Sequence, residues 1–154
     1  MTIIIFILMI LSSLSLINAI NKVAETYKMP IIFSAHPRTR KKIEAGNYKF
    51  NELVNYMKPL GFNDYNCLQK NAFCVISDSG TITEESSIMG FPAITVRQAH
   101  ERPEGMDEGT LIMSGVDADD IIDSINVVTS QVDRPNIVSD YDVSHVGSKV
   151  VKII

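Results

Sequence analysis

Residues 73–85, with the sequence FCVISDSGTITEE, constrain the fold more than any other part of the chain. Residues 73–76 form an apolar run of strand length, and the Asp-Ser-Gly triplet just beyond them is typical of a tight turn. Thr81 and Glu84 have the spacing of a capping box, which predicts the start of a helix, and Gly90 predicts its end. Because backbone N–H groups at a helix start bind anions, the segment indicates either a phosphate site or an ordinary strand-to-helix turn.

A second strand and a basic loop follow directly. Residues 91–96 are apolar and predict a strand, and residues 97–105 then carry Arg97, His100 and Arg102. In open α/β sheets ligands bind at the carboxyl ends of strands, so we expect this loop to lie beside the turn that precedes the helix. A phosphate turn and an arginine-bearing loop on adjacent strands together predict a site for a diphosphate.

Three motifs together resemble the non-hydrolysing UDP-N-acetylglucosamine 2-epimerase family. They are SDSGTITEE at 77–85, GFPA at 90–93 and RQAHERPEG at 97–105. The AHERPEG form is most similar to the branch that makes UDP-N-acetyl-L-fucosamine for capsule and O-antigen polysaccharides. The similarity extends from about residue 11 to residue 154, which implies that the chain corresponds to the C-terminal half of these enzymes.

The alternation of apolar and helical segments predicts the fold class. Five apolar segments of strand length are separated by segments with helical spacing; they are residues 31–34, 53–57, 73–77, 93–96 and 110–113. We expect these strands to lie parallel in one doubly wound α/β sheet. The resemblance implies the same architecture, namely a Rossmann-like, mainly parallel sheet that forms the nucleotide-binding half of a GT-B-like fold.

The resemblance also implies a reaction and a set of binding residues. Family members invert C2 of a UDP-bound 2-acetamido sugar by eliminating UDP, exchanging the C2 proton and adding UDP back. By this resemblance Ser79 and Gly80 cradle phosphate. Glu85 accepts the ribose hydroxyls, and Arg102 pairs with the diphosphate. Without the family match, Glu84 and Glu85 are explained as acidic residues that complement the dipole of the first helical turn.

Two further residues are assigned by the resemblance. His36 follows the predicted strand 31–34 and matches the family's histidine-proline motif, in which the histidine faces the cleft near the nucleotide sugar and is a candidate catalytic group. A histidine packed against a strand end is the alternative. Phe62 lies in a loop that in the family contacts the uracil base, although from the residues alone it fits the core equally well.

Residues 1–10, MTIIIFILMI, are almost wholly apolar and do not continue the family pattern. A signal peptide is disfavoured because there is no positive n-region and no clear cleavage site. A membrane span is disfavoured because the apolar run is about half of the ~20 residues required. We interpret residues 1–10 as an atypical apolar leader from a truncated or frameshifted reading frame, and residues 11–154 as a UDP-binding domain. We expect the leader to pack poorly, as an apolar overhang.

The C2 acid and base carboxylates of the family, and its His-Arg-rich motif, lie upstream of the region to which this chain is similar. The resemblance therefore implies a UDP site with His36 but without the main proton-transfer groups. The chain is then either half of an epimerase, working with a separately encoded N-terminal half, or a catalytically inactive UDP-sugar-binding remnant. The donor domain of a GT-B glycosyltransferase is a further alternative, against which the Glu-Arg-Pro-Glu run argues. Family members are often homodimers.

Composition argues against several other classes of protein. The 154 residues fit one domain, and a net charge of −4 with a pI near 5.3 argues against a general nucleic-acid binder. Cys67 and Cys74 are the only cysteines, too few for a disulfide framework, which indicates a reducing, cytoplasmic setting. No motif indicates a metal or a cofactor, so the expected ligand is a UDP-sugar alone.

Overall fold

The computed structural model describes residues 1–7, 13–97, 102–131 and 137–153. Its strands are β1 Ile3–Ile7, β2 Ile31–Ala35, β3 Val54–Met57, β4 Cys74–Ser77, β5 Ala93–Thr95 and β6 Ile112–Met113. Its helices are α1 Ser13–Tyr27, α2 Pro37–Ala45, α3 Phe62–Lys70, α4 Ile82–Met89, α5 Glu104–Asp107, α6 Ala118–Ser130 and α7 Val146–Val151. Strands and helices alternate along the chain from β1 to α6.

The described strands form one six-stranded sheet in the order β3-β2-β1-β4-β5-β6, and every neighbouring pair is parallel. The prediction of a doubly wound parallel α/β sheet is therefore confirmed, as are the strands expected from the five apolar segments. This strand order is that of Rossmann folds. The direction of winding reverses between β1 and β4, so the carboxyl ends of these two strands border the crevice in which such folds bind ligands.

Helices cover both faces of the sheet, and the side chains of β1 alternate between the two faces. Ile3 and Ile5 are buried on one face among residues of α1 and α6. Ile4 is buried on the other face, in a cluster with Val75 of β4 and Ile82 of α4. Strands that are buried on both faces are typical of parallel sheets, and their sequences are continuous apolar runs rather than alternating patterns.

The expectation that residues 1–10 form a poorly packed overhang is wrong for the part of the segment that the structure describes. Residues 3–7 form β1, the strand between β2 and β4, and Ile3, Ile4 and Ile5 are 0%, 3% and 1% exposed. The prediction is wrong because a strand that is covered on both faces is apolar throughout, and an apolar leader has the same composition. Within the described part of the chain, no helix is long and apolar enough to cross a membrane.

Candidate nucleotide-binding site

The turn between β4 and α4 is held in shape by its own hydroxyl groups. Ser77 Oγ accepts a hydrogen bond from the Ser79 backbone N–H at 3.0 Å. Ser79 Oγ lies 2.9 Å from Thr81 Oγ1 and accepts a longer bond, 3.4 Å, from the Thr81 backbone N–H. Such local hydroxyl bonds are typical of turns. They place Ser79 and Gly80 directly after β4, at the crevice where the winding of the sheet reverses.

The next strand contributes an arginine to the same turn. Arg97 follows β5, and its Nε donates a hydrogen bond to the backbone carbonyl of Asp78, a buried residue. This bond confirms the expectation for the first residue of the loop after β5, which lies beside the turn after β4. His100, which is also predicted in this loop, lies outside the described residues.

Helix α4 begins without the predicted capping box. Thr81 precedes the helix with helical angles, φ −69° and ψ −13°, and its side chain makes no capping hydrogen bond. Glu84 instead pairs with Arg102, whose Nε lies 2.7 Å from Glu84 Oε1. A guanidinium offers the carboxylate a stronger, charge-assisted bond than a backbone amide does, which explains the difference. The predicted end of the helix is confirmed, because Gly90 has the left-handed conformation of a C-cap, with φ 68°.

The Arg102–Glu84 ion pair lies at the first turn of α4 and is only partly exposed, with 33% and 28% of the two side chains accessible. Glu84 Oε2 is buried and has no hydrogen-bond partner among the described residues. A guanidinium carries five N–H donors in a fixed fork, so its contact with Glu84 through Nε is compatible with a second, anionic partner. The assignment of Arg102 to a diphosphate stays a prediction.

The last glycine of the RQAHERPEG motif is explained by packing. Helix α5 passes α4 at Gly105, where a Cβ atom would lie 2.0 Å from Thr83 Cγ2. The Thr110 hydroxyl donates a hydrogen bond to the Gly105 carbonyl at 2.6 Å, which fixes the backbone at this point. Glycine therefore allows the chain that carries Arg102 to lie against α4.

Replacing Gly105 with Ala is expected to destabilise the fold by about 1–3 kcal/mol, as overpacking of a tight contact does. Replacing Thr83 with Ser in the same chain removes the clashing methyl group and should restore most of the free energy of unfolding. Gly147→Ala is the control, because nothing lies within 4 Å of a Cβ atom at that position. Urea unfolding followed by circular dichroism measures all of these variants. Equal stability of Gly105→Ala and the wild type would contradict the close approach of α5 to α4.

Glu85, the residue assigned to the ribose, is held by two side chains of α3. Gln69 Nε2 donates to Glu85 Oε2 at 2.7 Å, and the Tyr65 hydroxyl donates to the same oxygen at 3.2 Å. Burial raises the pKa of Tyr65 and the nearby Glu85 charge raises it further, so the hydroxyl stays protonated and acts as a donor. Neither Tyr65 nor Gln69 is predicted from the sequence, although their four-residue spacing places both on one face of a helix.

Phe62 is the first residue of α3 and is 79% exposed, so the alternative that it belongs to the core is wrong. It precedes Tyr65 by three residues and therefore lies on the same face of α3. An exposed aromatic ring in this position can stack on a nucleobase. The contact between Phe62 and a uracil base stays a prediction.

His36 follows β2 directly and is the N-cap of α2. Its Nδ1 accepts a hydrogen bond from the Arg38 backbone N–H at 3.3 Å, and the residue is exposed rather than packed against the strand end. No described contact joins His36 to Ser79 or Glu85, and its catalytic role stays a prediction.

The segment that begins at residue 137 ties α4 to α5. The Val138 backbone N–H donates to Ser87 Oγ of α4 at 2.9 Å, and the Tyr141 hydroxyl donates to Glu104 Oε1 of α5 at 2.7 Å. The bond from Tyr141 lowers the pKa of Glu104. These contacts, which the sequence does not predict, hold α5 and the preceding Arg102 beside the start of α4.

The structure therefore brings together most of the residues assigned by resemblance. Ser79, Gly80 and Glu85 lie on one turn and the helix that follows it, and Arg102 reaches that helix through Glu84. His36 is placed at the end of β2, which is separated from β4 by β1 in the sheet.

Comparisons with known proteins identify the family of the chain. The family model Epimerase_2, described as UDP-N-acetylglucosamine 2-epimerase, matches residues 12–154. The UDP-N-acetylglucosamine 2-epimerase of Methanocaldococcus jannaschii is 30% identical over 144 residues, which are 91% of this chain and 39% of that protein.

Solved structures are similar over almost the whole chain. UDP-N-acetylglucosamine 2-epimerase from Rickettsia bellii has a TM-score of 0.88 at 38% identity and covers 99% of this chain and 43% of its own. The M. jannaschii UDP-GlcNAc 2-epimerase, in complex with UDP-GlcNAc and UDP, has a TM-score of 0.84 at 27% identity. The match covers 99% of this chain and 44% of the M. jannaschii chain. The glycosyltransferase VinC, at 10% identity and a TM-score of 0.57, shows the GT-B-like fold alone.

The chain spans less than half the length of each epimerase to which it is compared. The similarity nevertheless includes the turn after β4, α4 and the loop that carries Arg102, which all lie within the matched residues 12–154. The chain belongs to the UDP-N-acetylglucosamine 2-epimerase family.

Proposed function

We propose that this chain is the UDP-binding, C-terminal half of a UDP-N-acetylglucosamine 2-epimerase. The observation that carries the proposal is the position of Ser79, Gly80 and Glu85 at the start of α4. They lie where the winding of the sheet reverses, and open α/β sheets bind nucleotides at that point. The M. jannaschii relative, whose structure contains UDP-GlcNAc and UDP, supports the same class of ligand.

Ser79, Gly80 and Arg102 bind the diphosphate in this proposal. The N–H groups of Ile82 and Thr83 make only long bonds of 3.4 Å to the turn, so these donors retain capacity for an anion at the helix start. Arg102 then bridges Glu84 and the ligand, and the carboxylate fixes the direction of the guanidinium. The positive charge also stabilises UDP as a leaving group.

The nucleoside lies along α3 and α4. Glu85 accepts the ribose hydroxyls, and the exposed ring of Phe62 stacks on uracil. The two residues are joined through α3, because Tyr65 lies one turn from Phe62 and donates a hydrogen bond to Glu85. A single helix thus positions the groups that contact both the base and the sugar of the nucleoside.

The reaction proposed for the complete enzyme is the family's inversion at C2 of a UDP-2-acetamido sugar, by elimination and re-addition of UDP. His36 faces the sugar, and the acid and base carboxylates come from a separately encoded N-terminal half. The AHERPEG run favours UDP-N-acetyl-L-fucosamine formation for surface polysaccharide.

We place the enzyme in the cytoplasm, consistent with the unpaired Cys67 and Cys74, and expect a homodimer as in relatives. A glycosyltransferase function is not proposed, because the VinC similarity concerns the fold alone.

Titration calorimetry with UDP tests the proposed site. We expect micromolar-to-millimolar affinity, corresponding to about −8 to −4 kcal/mol. Arg102→Ala leaves diphosphate charge unpaired and should weaken binding by about 2 kcal/mol, or roughly thirtyfold. Arg40→Ala is a matched control, because the Arg40 Nε–Glu44 Oε1 distance is also 2.7 Å but the pair lies on α2.

The outcome separates a specific site from a general effect of removing charge. Arg40→Ala should bind UDP as the wild type does. The absence of any heat with UDP, or unchanged affinity in Arg102→Ala, contradicts the assignment of this turn as a diphosphate site.

A further inference from the structure

We propose that Tyr65 and Gln69 are positioning residues that orient Glu85 towards the ribose and so set the preference of the site for ribonucleotides. This inference rests on the proposed UDP site and adds a role in ligand discrimination for two residues of α3. Tyr65 and Gln69 lie four residues apart on α3 and contact the same side chain of α4.

The geometry at Glu85 is asymmetric. The 2.7 Å bond from Gln69 Nε2 and the 3.2 Å bond from the Tyr65 hydroxyl both end on Oε2. A carboxylate can accept about four hydrogen bonds, shared between its two oxygens. The contacts from α3 therefore anchor Oε2. None of the described contacts engages Oε1, whose acceptor sites are left for the hydroxyl groups of a ribose.

Packing alone does not explain the buried amide of Gln69. Gln69 is 0% exposed, and its Oε1 is buried without a hydrogen-bond partner among the described residues. A buried, unpaired acceptor has an energetic cost, which an apolar side chain of the same size avoids. The amide does gain the bond from Nε2 to Glu85, and it is oriented by that bond because an oxygen facing the carboxylate would be repelled.

Tyr65 supplies a second donor and a connection to the base. Burial keeps the Tyr65 hydroxyl protonated, so it donates a hydrogen bond to the Glu85 carboxylate. Phe62, Tyr65 and Gln69 follow one another at helical spacing on one face of α3. The ring proposed to contact uracil and the donors that orient Glu85 thus belong to one rigid element.

The test compares UDP with 2′-deoxy-UDP by titration calorimetry on the wild type, Tyr65→Phe and Gln69→Met. The wild type should prefer UDP by about tenfold, the effect of one hydrogen bond to a charged group. Each variant should reduce this preference to about twofold to threefold, because the carboxylate is no longer held in place. The reduction should come mainly from a lower affinity for UDP. Gln69→Met should unfold at the same temperature as the wild type or higher, since the unpaired buried acceptor is removed.

Tyr27→Phe is the matched control. It also removes a tyrosine hydroxyl with hydrogen-bond partners, here the Ile122 carbonyl and Asn126 Oδ1 of α6, on the other face of the sheet. We expect this variant to keep the full preference for UDP. Tyr65→Phe retains the ring and therefore tests the proposal even if Gln69→Met is less stable than expected.

Each outcome has one meaning for the inference. A wild type that binds no UDP overturns the proposed function and this inference with it. A wild type that prefers UDP, with the preference unchanged in both α3 variants, overturns the inference and leaves the UDP site intact. Equal weakening of UDP and 2′-deoxy-UDP in both variants shows a structural role only and also overturns it.

Discussion

Replacing Ile5 with Asp is expected to unfold the domain. Ile5 lies in β1 between β2 and β4 and is 1% exposed, in a core cluster with residues of α1 and α6. An unpaired carboxylate in this position loses its hydration without compensation, at a cost of several kcal/mol. Added to the lost burial of the isoleucine, about 2–5 kcal/mol, this cost is comparable with the whole free energy of unfolding of a typical domain, about 5–15 kcal/mol. Ile5→Ala, which leaves a cavity, should cost about 2–5 kcal/mol.

Far-ultraviolet circular dichroism and urea unfolding measure both Ile5 variants. Ile153→Asp is the control, because it makes the same substitution at a residue that is 86% exposed and should change stability by no more than about 0.5 kcal/mol. An Ile5→Asp chain that folds with the wild-type midpoint would show that β1 is not a central strand and would restore the interpretation of residues 1–10 as an overhang.

The sheet could be predicted from the sequence except at its centre. The apolar segments that became β2 to β6 are flanked by turn residues and helical patterns, and these boundaries identify them as strands. The segment of β1 has no turn residue close to it, and the apolar run continues past the end of the strand at Ile7. Composition alone cannot separate such a strand from a leader, because the strand is recognised only by the neighbours that cover both of its faces.

The candidate site shows a similar division. The local sequence predicts the turn at Ser79 and the helix end at Gly90, because both depend on the backbone preferences of neighbouring residues. The partners of Glu84 and Glu85 depend on elements distant in sequence. Glu84 pairs with Arg102 instead of forming the predicted capping box. Tyr65 and Gln69 of α3 donate hydrogen bonds to Glu85. Spacing rules within one helix do not contain that information.

The chain alone is expected to bind UDP-N-acetylglucosamine without epimerising it. Exchange of the C2 proton needs an acid and a base within hydrogen-bond reach of opposite faces of the sugar. His36 is a single group at the end of β2 and cannot serve both faces. The loss of each positioned acid or base costs at least ~10²–10⁴ in rate, so turnover should fall to background. His36→Ala should then leave this background unchanged.

The most direct test of the half-enzyme proposal is deuterium exchange at C2 of UDP-N-acetylglucosamine, followed by NMR in D₂O. The chain is used at a concentration at which calorimetry shows the nucleotide to be bound, with the longer M. jannaschii UDP-N-acetylglucosamine 2-epimerase as the positive control. The proposal predicts bound ligand and a C2 proton signal that does not decay with the chain alone. Incorporation of deuterium above background, abolished by His36→Ala, would contradict it and show that these 154 residues build a complete active site.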